Sequence, residues 1–492
     1  MNKKRRRKPE KPRQKAARVV IPPIDADSLI SPEEVRGFAR STGFIKRAGG
    51  KIDPVDFFLS MVFRNIASVP VGLGLLTTFL NCLVSRPALH QKFNKSTSRF
   101  FRACLGAIIL KRINNAIPLD TGLLRNFTGI LLVDSSSWDV PETLAWIFPG
   151  SGGSASKANC KLQFCYDYKS GYFYELKDKA GSQPDQKYSP SIARHVKAGA
   201  LAIFDLGYWA FETFHAIADR TGYFLSRMNT QAGIWSRDGG EFSQLDLSAI
   251  LAAHVGLALE MNVCLRKGDR HVDVRLVAWR VPEEVANTRR MRLRKDAARK
   301  GRTPTDRSMR LCDWCVFVTN AGADKLPAEM MRSLYRVRWN VELVFKSLKS
   351  VLRIHKTSVR QNQHRLRCEL YAKMILAVIV HRIYSHAQNH LWQTMRRELS
   401  LDKLWKFIDS RKETIWEAAK GGHKKLARLI NSLLHVIVAT CEKLHQKSRK
   451  TTLQQIDEML GDPTHVMVVP PLKKRETTPA TRDEKAGDTT LR

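Results

Sequence analysis

Three carboxylates in this chain have the types and settings for metal-assisted phosphoester chemistry. Asp134 follows the apolar run Gly129-Ile-Leu-Leu-Val133, and Asp205 follows Ala200-Leu-Ala-Ile-Phe204. Each run is short, continuous and apolar, as in a strand buried on both faces. Singly, an Asp after a strand is more often a turn or cap residue. If the two strands are neighbours, both acids project at one edge of one sheet. Adjacent carboxylates repel, and a divalent cation relieves the repulsion.

The third acid lies in Tyr335-Arg-Val-Arg338-Trp-Asn-Val-Glu342-Leu-Val-Phe-Lys-Ser-Leu-Lys349. With Tyr335 at zero and ~100° per residue, Arg338, Glu342 and Lys349 fall near 300°, 340° and 320°. Val337, Val341, Val344 and Leu348 take the opposite side. One face can pack while the other presents an aromatic ring, two cations and a carboxylate. An amphipathic helix with a solvated charged face gives the same wheel, so the spacing leaves both readings open. Trp339, at the edge of the polar face, is expected to pack on the sheet.

The elements that position these groups follow from pattern. A basic arm occupies 1–28; its first 20 residues hold ten Lys/Arg and one acid, Glu10. A helical domain spans 29–120, with helix starts at Ser31-Pro-Glu-Glu34 and Asp53-Pro-Val-Asp56. Within it, Leu73–Phe93 reads as two short helices joined near Val84–Pro87. That fits a helix-turn-helix or a plain hairpin, and Arg86 and Lys92 are its candidate DNA contacts.

From 121 to 221 the order is strand, hairpin (Leu162–Tyr168 and Tyr172–Lys177 around Lys169-Ser-Gly171), helix (Ser189–Lys197) and strand. This is a mixed α/β order, expected of a ribonuclease-H-like core. A β-rich insertion follows over 222–322, interrupted by Asn287–Arg302 with eight Lys/Arg in 16 positions. That block reads equally as a DNA surface or a solvated loop. A long helix over 327–355, within 323–365, returns to the core. Residues 366–460 read as a C-terminal helical domain, a plausible dimer interface, and 461–492 as a disordered tail.

The chain has 492 residues and a formal charge of +37, with a pI near 10.1. Such an excess calls for a polyanion, and nucleic acid is the first candidate. An anionic membrane is second, but the longest apolar run, Val69–Val84, falls short of the ~20 residues of a spanning helix. The nine cysteines are irregularly spaced, which suits reduced thiols and a cytoplasmic place. Cys312-Asp-Trp-Cys315 reads as two side chains of one strand rather than a metal or redox pair.

The spacing of Tyr335, Arg338, Glu342 and Lys349 resembles the Y-R-E-K signature of the IS4 family of bacterial insertion-sequence transposases. Asp134 in LLVDSS and Asp205 in FDLGYW match that family's two catalytic aspartates with their flanks. Tyr223-Phe-Leu-Ser-Arg227 is similar to the strand after the second Asp, and Gly43–Lys46 and Leu89–Asn94 to its N-terminal helical region. The resemblance spans about residues 30–380. Ser-Ser-Ser after Asp134 and Met228-Asn229 after Arg227 depart from the usual text without touching a carboxylate.

The resemblance implies a DDE transposase that binds its element's terminal inverted repeats, cuts DNA and joins the freed 3′-OH ends to target DNA, through a hairpin. Two ions, Mg²⁺ or Mn²⁺, would be held by Asp134, Asp205 and Glu342. Tyr335, Arg338, Lys349 and Arg227 would contact DNA, the insertion would hold the DNA end, and a homodimer would form on DNA in the bacterial cytoplasm, at the nucleoid. A catalytically silent DNA-binding descendant and a nuclease that cuts without joining are the competing readings.

Overall fold

The computed structural model describes residues 20–47, 50–63, 72–152, 156–357, 359–444 and 450–458. Most of the expected basic arm and all of the expected tail, 1–19 and 461–492, lie outside them. Among the described residues ten strands form one sheet: β1 (Ile130–Asp139), β2 (Asn159–Asp167), β3 (Phe173–Ala180), β4 (Leu201–Phe204), β5 (Tyr223–Arg227), β6 (Ile234–Asp238), β7 (Glu241–Leu245), β8 (Ala258–Lys267), β9 (Arg270–Arg280) and β10 (Trp314–Thr319). Their spatial order is β3-β2-β1-β4-β5-β10-β9-β8-β6-β7. An antiparallel β3-β2-β1 unit is extended by parallel β4 and β5. This is the expected ribonuclease-H-like mixed α/β core.

Alternation of side chains sorts the sheet into two buried faces. Ile130, Leu132, Leu201, Ile203 and Leu225 join one core with the N- and C-terminal helices. Leu131, Val133, Ala202, Phe204 and Phe224 join another with Tyr188, Ile192 and Phe214. Cover on both faces is why the strands read as continuous apolar runs. At the β2–β3 turn, Gly171 has φ 76°, and a Cβ there would collide with Ser385 of the helix Gln363–Met395. Backbone conformation and packing both demand glycine.

Several expectations are corrected. β1 does not stop at Asp134; it runs on to Asp139 because β2 pairs Gln163 to Asn159 with Ser135 to Asp139. Tertiary pairing outweighs the weak strand preference of Ser135–Ser137. The helix after β3 is shorter, Ser189–Ala193. The region 222–322 is β-rich, as expected, and its strands extend the same sheet: β5 pairs with β4, and β10 with β5. The basic block is no loop but largely the helix Glu283–Arg299, started by Pro282 and two acids in its first turn. Cys312 lies in a 3-10 turn and Cys315 in β10.

The single helix expected over 327–355 is two, Ala328–Arg336 and Trp339–Ser350. At the joint, the N–H groups of Val337, Arg338, Asn340 and Val341 each donate to the carbonyl three residues back. This is the tighter 3-10 pattern, in which residues i and i+3 eclipse. The helix Gln363–Met395 packs against Lys95–Leu110 and buries most of its length within the chain's own core. Among the described residues no helix is long and apolar enough to cross a membrane, and every cysteine is free.

Candidate active site

Strand register brings the two aspartates together. β1 and β4 pair Leu132 with Ile203; two residues further on, Asp134 stands level with Asp205. Each is on the alternation of Leu132 or Ile203, hence on the face covered by the helices. Asp205 precedes the 3-10 turn Leu206–Tyr208, yet its side chain makes no cap hydrogen bond. The cap reading of Asp205 therefore fails.

The two signature helices close the site from that face. Val337, Val341, Val344 and Leu348 are buried beneath them. Arg338 Nη1 donates to Asp134 Oδ2 at 2.8 Å, and its Nη2 lies 3.8 Å from Glu342 Oε1. The Tyr335 hydroxyl donates to Asp205 Oδ1 at 3.2 Å. Lys349 Nζ donates to the Ser137 carbonyl at 3.3 Å. The 3-10 joint eclipses Tyr335 and Arg338, whose guanidinium carbon sits 5.8 Å from the Tyr335 ring centre. That ring packs edge-on against Phe317 at 4.9 Å, and Phe317 pairs with Arg227. All three acids thus share one site with Tyr335, Arg338, Lys349 and Arg227.

The electrostatics are strained. Burial pushes the Asp134 carboxyl up to about 6; Asp205 and Glu342 add to the rise, while Arg338 and the Ser135 N–H oppose it. Burial disfavours the Arg338 charge, but Asp205, Tyr335, Asp134 and Glu342 outweigh it. The Arg338 guanidinium thus stands among all three acids. Its Nε is buried without a hydrogen-bond partner. Burial also lowers the Lys349 ammonium.

The donor chemistry fits a hard divalent cation, since all three candidate ligands are carboxylate oxygens. Arg338 already holds a positive charge among them. Among the described residues, however, no three His, Cys, Asp or Glu side chains are gathered closely enough to clasp one ion. The acids surround the guanidinium instead.

Arg86 and Lys92 stand apart from this site, on the short helix Arg86–Lys92 that follows Leu73–Phe79. Arg86 is exposed, with its guanidinium against Gly74. The Lys92 ammonium turns inward, donates to the Phe44 carbonyl at 2.9 Å and sits over the Phe44 ring. Trp339 is corrected, because it is 56% exposed at the rim rather than packed on the sheet.

Sequence reasoning missed a group behind the aspartates. Ser135 points to the opposite face from Asp134, where its Oγ donates to Asp185 Oδ2 at 3.0 Å. Gln163 Nε2 and Lys161 Nζ donate to Asp185 Oδ1, and the Tyr208 hydroxyl donates to Gln163 Oε1. Asp185 thereby ties β1, β2 and the turn after Asp205 together. No spacing motif marked it, because its partners stand on two strands, β1 and β2, distant from it in sequence.

The family model of the transposase DDE domain matches residues 125–379, just over half of the chain. The stretch contains Asp134, Asp205 and Glu342. The transposase for insertion sequence element IS231E of Bacillus thuringiensis subsp. finitimus is 24% identical over 440 residues, 86% of this chain and 92% of its own length. That for IS231F of the subspecies israelensis is 26% identical over 443 residues, with the same coverage. That for IS1151 of Clostridium perfringens is 22% identical over 387 residues, 75% of this chain and 81% of its own. The expected kinship with insertion-sequence transposases is borne out. The chain belongs to the DDE transposase family, and it is a DNA transposase.

Proposed function

We propose that the chain binds the terminal inverted repeats of its own insertion sequence, cuts the DNA there and joins the freed 3′-OH ends to target DNA. The observation that carries this reading is the level placement of Asp134 and Asp205 on neighbouring parallel strands, with Glu342 linked to Asp134 through Arg338. Asp134, Asp205 and Glu342 would hold divalent cations, Mg²⁺ or Mn²⁺, two per site. When bound, such ions supply an activated oxygen nucleophile and neutralise the charge on the leaving oxygen and phosphate.

The chain's own residues do the rest. Arg338 holds the acids in register before a cation arrives, then turns its planar fork, including the unpartnered Nε, to a phosphate oxygen. Lys349 places a point charge beside β1, where the strand passes the reacting phosphate. Tyr335 holds Asp205 through its hydroxyl, and Arg227 supports the same end of the sheet. A hairpin between the two strands at the cut end, reopened before joining, is the route by which one site serves both strands. Two ends must meet, so the DNA complex is at least a dimer.

The test uses the gene's flanking DNA with a supercoiled target, the wild type and Asp134→Ala, and Mg²⁺, with mapping of new 3′ ends and joints. Cutting at both flanks plus joining, absent from the variant, supports the proposal. Cutting without joints makes the protein a nuclease; binding without cutting makes it a silent DNA-binding descendant.

A further inference from the structure

The loop His254–Leu257 presents an apolar tip to solvent on the same edge of the sheet as the carboxylates. Val255 is 95% exposed and Leu257 78%. Isolated exposed aliphatics are ordinary, but these two are held out by a braced support. His254 Nε2 lies 2.7 Å from the Ala258 carbonyl, which closes the loop on itself. The Arg280 N–H donates to the Leu257 carbonyl at 2.8 Å, and Arg280 Nη2 donates to the His254 carbonyl at 2.9 Å. Arg280 stacks on Trp314, buried below, and His254 lies beside the same ring. A slack loop would fold Val255 and Leu257 down onto the protein; this one is pinned with them outward.

The strand pairings locate the tip. The level of Asp205 passes across the sheet through Arg227, Phe317, Val277 and Glu260. Leu257 lies three residues beyond Glu260, so the tip rises about 10 Å past the aspartates. From β4 to β8 there are four strand steps, or about 19 Å sideways. At roughly 3.4 Å of axis per base pair, that is five to six base pairs of duplex.

The surroundings select the partner. Arg280 lies at the loop's base, and the segment Asp306–Arg310, carrying Arg307 and exposed Arg310, packs against the helix Leu247–Ala253 that leads into the loop. Cations flanking a small aliphatic tip suit a DNA duplex, with the cations on phosphates and the tip between bases. A second protein needs about 800 Å² per side, far more than two side chains give. We propose that Val255 and Leu257 form a wedge that enters the duplex about half a helical turn from the reacting phosphate and unstacks one base step there. The wedge rests on the DNA-cutting reading of the site.

The test uses the full chain and duplexes of the gene's flanking DNA, with 2-aminopurine placed at successive steps from the cut that wild type makes with Mg²⁺. Fluorescence is then read with chelator present. Wild type is expected to raise it about five to six base pairs from the cut. Val255→Ser/Leu257→Ser is expected to lose that rise and bind about tenfold more weakly, with an unchanged salt slope because the cations remain. If that variant's circular dichroism shows lost fold, Leu257→Gln replaces it. A rise that survives substitution, or no rise in a wild type that cuts normally, overturns the wedge alone. A smaller sedimenting species with fluorescence intact assigns the tip to a second copy, and overturns it too. A wild type that neither binds nor cuts overturns the active-site reading as well.

Discussion

Asp134 on β1 and Glu175 on β3 are carboxylates of one sheet, two strands apart and both withdrawn from water. Burial raises both. For Glu175 the rise is reversed by donors of its own. His195 and Lys177 lie against it, the Tyr188 hydroxyl donates at 2.5 Å and Arg194 Nη2 at 2.6 Å, and its carboxyl falls to about 2. Asp134 shares one guanidinium with two other acids and is pushed up to about 6. The first arrangement is complete and makes a structural post. The second leaves Asp134 raised in spite of Arg338, so an added positive charge beside it is favoured. A perturbed carboxylate marks function when its partners are insufficient, not merely when it is buried.

The largest expected effect is on chemistry. Asp134→Asn and Glu342→Ala should each lower cutting by at least about a thousandfold while a gel-shift assay shows DNA binding retained. Cutting that survives Glu342→Ala removes Glu342 from the site. Next is the stability of the post. A folded pKa of about 2 against an ordinary 4.5 corresponds to about 3 kcal/mol. Glu175→Gln should lose about that much at pH 7 in urea unfolding. The lowered pKa means that this stability is present above pH 4.5 and fades as pH falls toward 2, a fade the variant should lack. Equal urea midpoints at pH 7 would dissolve the contrast.

Asp134 should behave with the opposite sign. A raised pKa gives stability below 3.8 that is lost as pH rises through about 6. Above pH 6 the charged form therefore burdens the fold, and Asp134→Asn should stabilise it by at most about 3 kcal/mol. A melting temperature that falls at pH 8 would count Asp134 among the posts. The smallest effect is that of Lys349→Ala, which should reduce the log–log salt slope of DNA binding by about 0.9 with little change in melting. A large drop in melting would mean that the bond to the Ser137 carbonyl is its main duty.

The acids were legible because each strand is covered on both faces, and continuous apolar runs ending in Asp stand out. The signature face was legible because helical phase survives in spacing. The joint at Val337–Arg338 was not, since no Pro or Gly marks a switch to 3-10 bonding. β1 past Asp134 was hidden by three serines whose strand state comes only from β2. The inward turn of Lys92 depends on Phe44, 48 residues away. The helix Glu283–Arg299 carried a readable start at Pro282-Glu-Glu that the density of positive charge obscured. Asp185 had no local text at all.

The unbroken sheet would let the proposed wedge act as a measuring device. Strands from β5 onward stack outward from the carboxylates, so the distance from the chemistry to an outer loop is set in strand widths. A lineage that gained a hairpin between β10 and β8 would move the outer loop by about 10 Å, nearly three base pairs, in a single step. If the proposed wedge enters the terminal DNA, terminal sequence and insertion length would then have to change together.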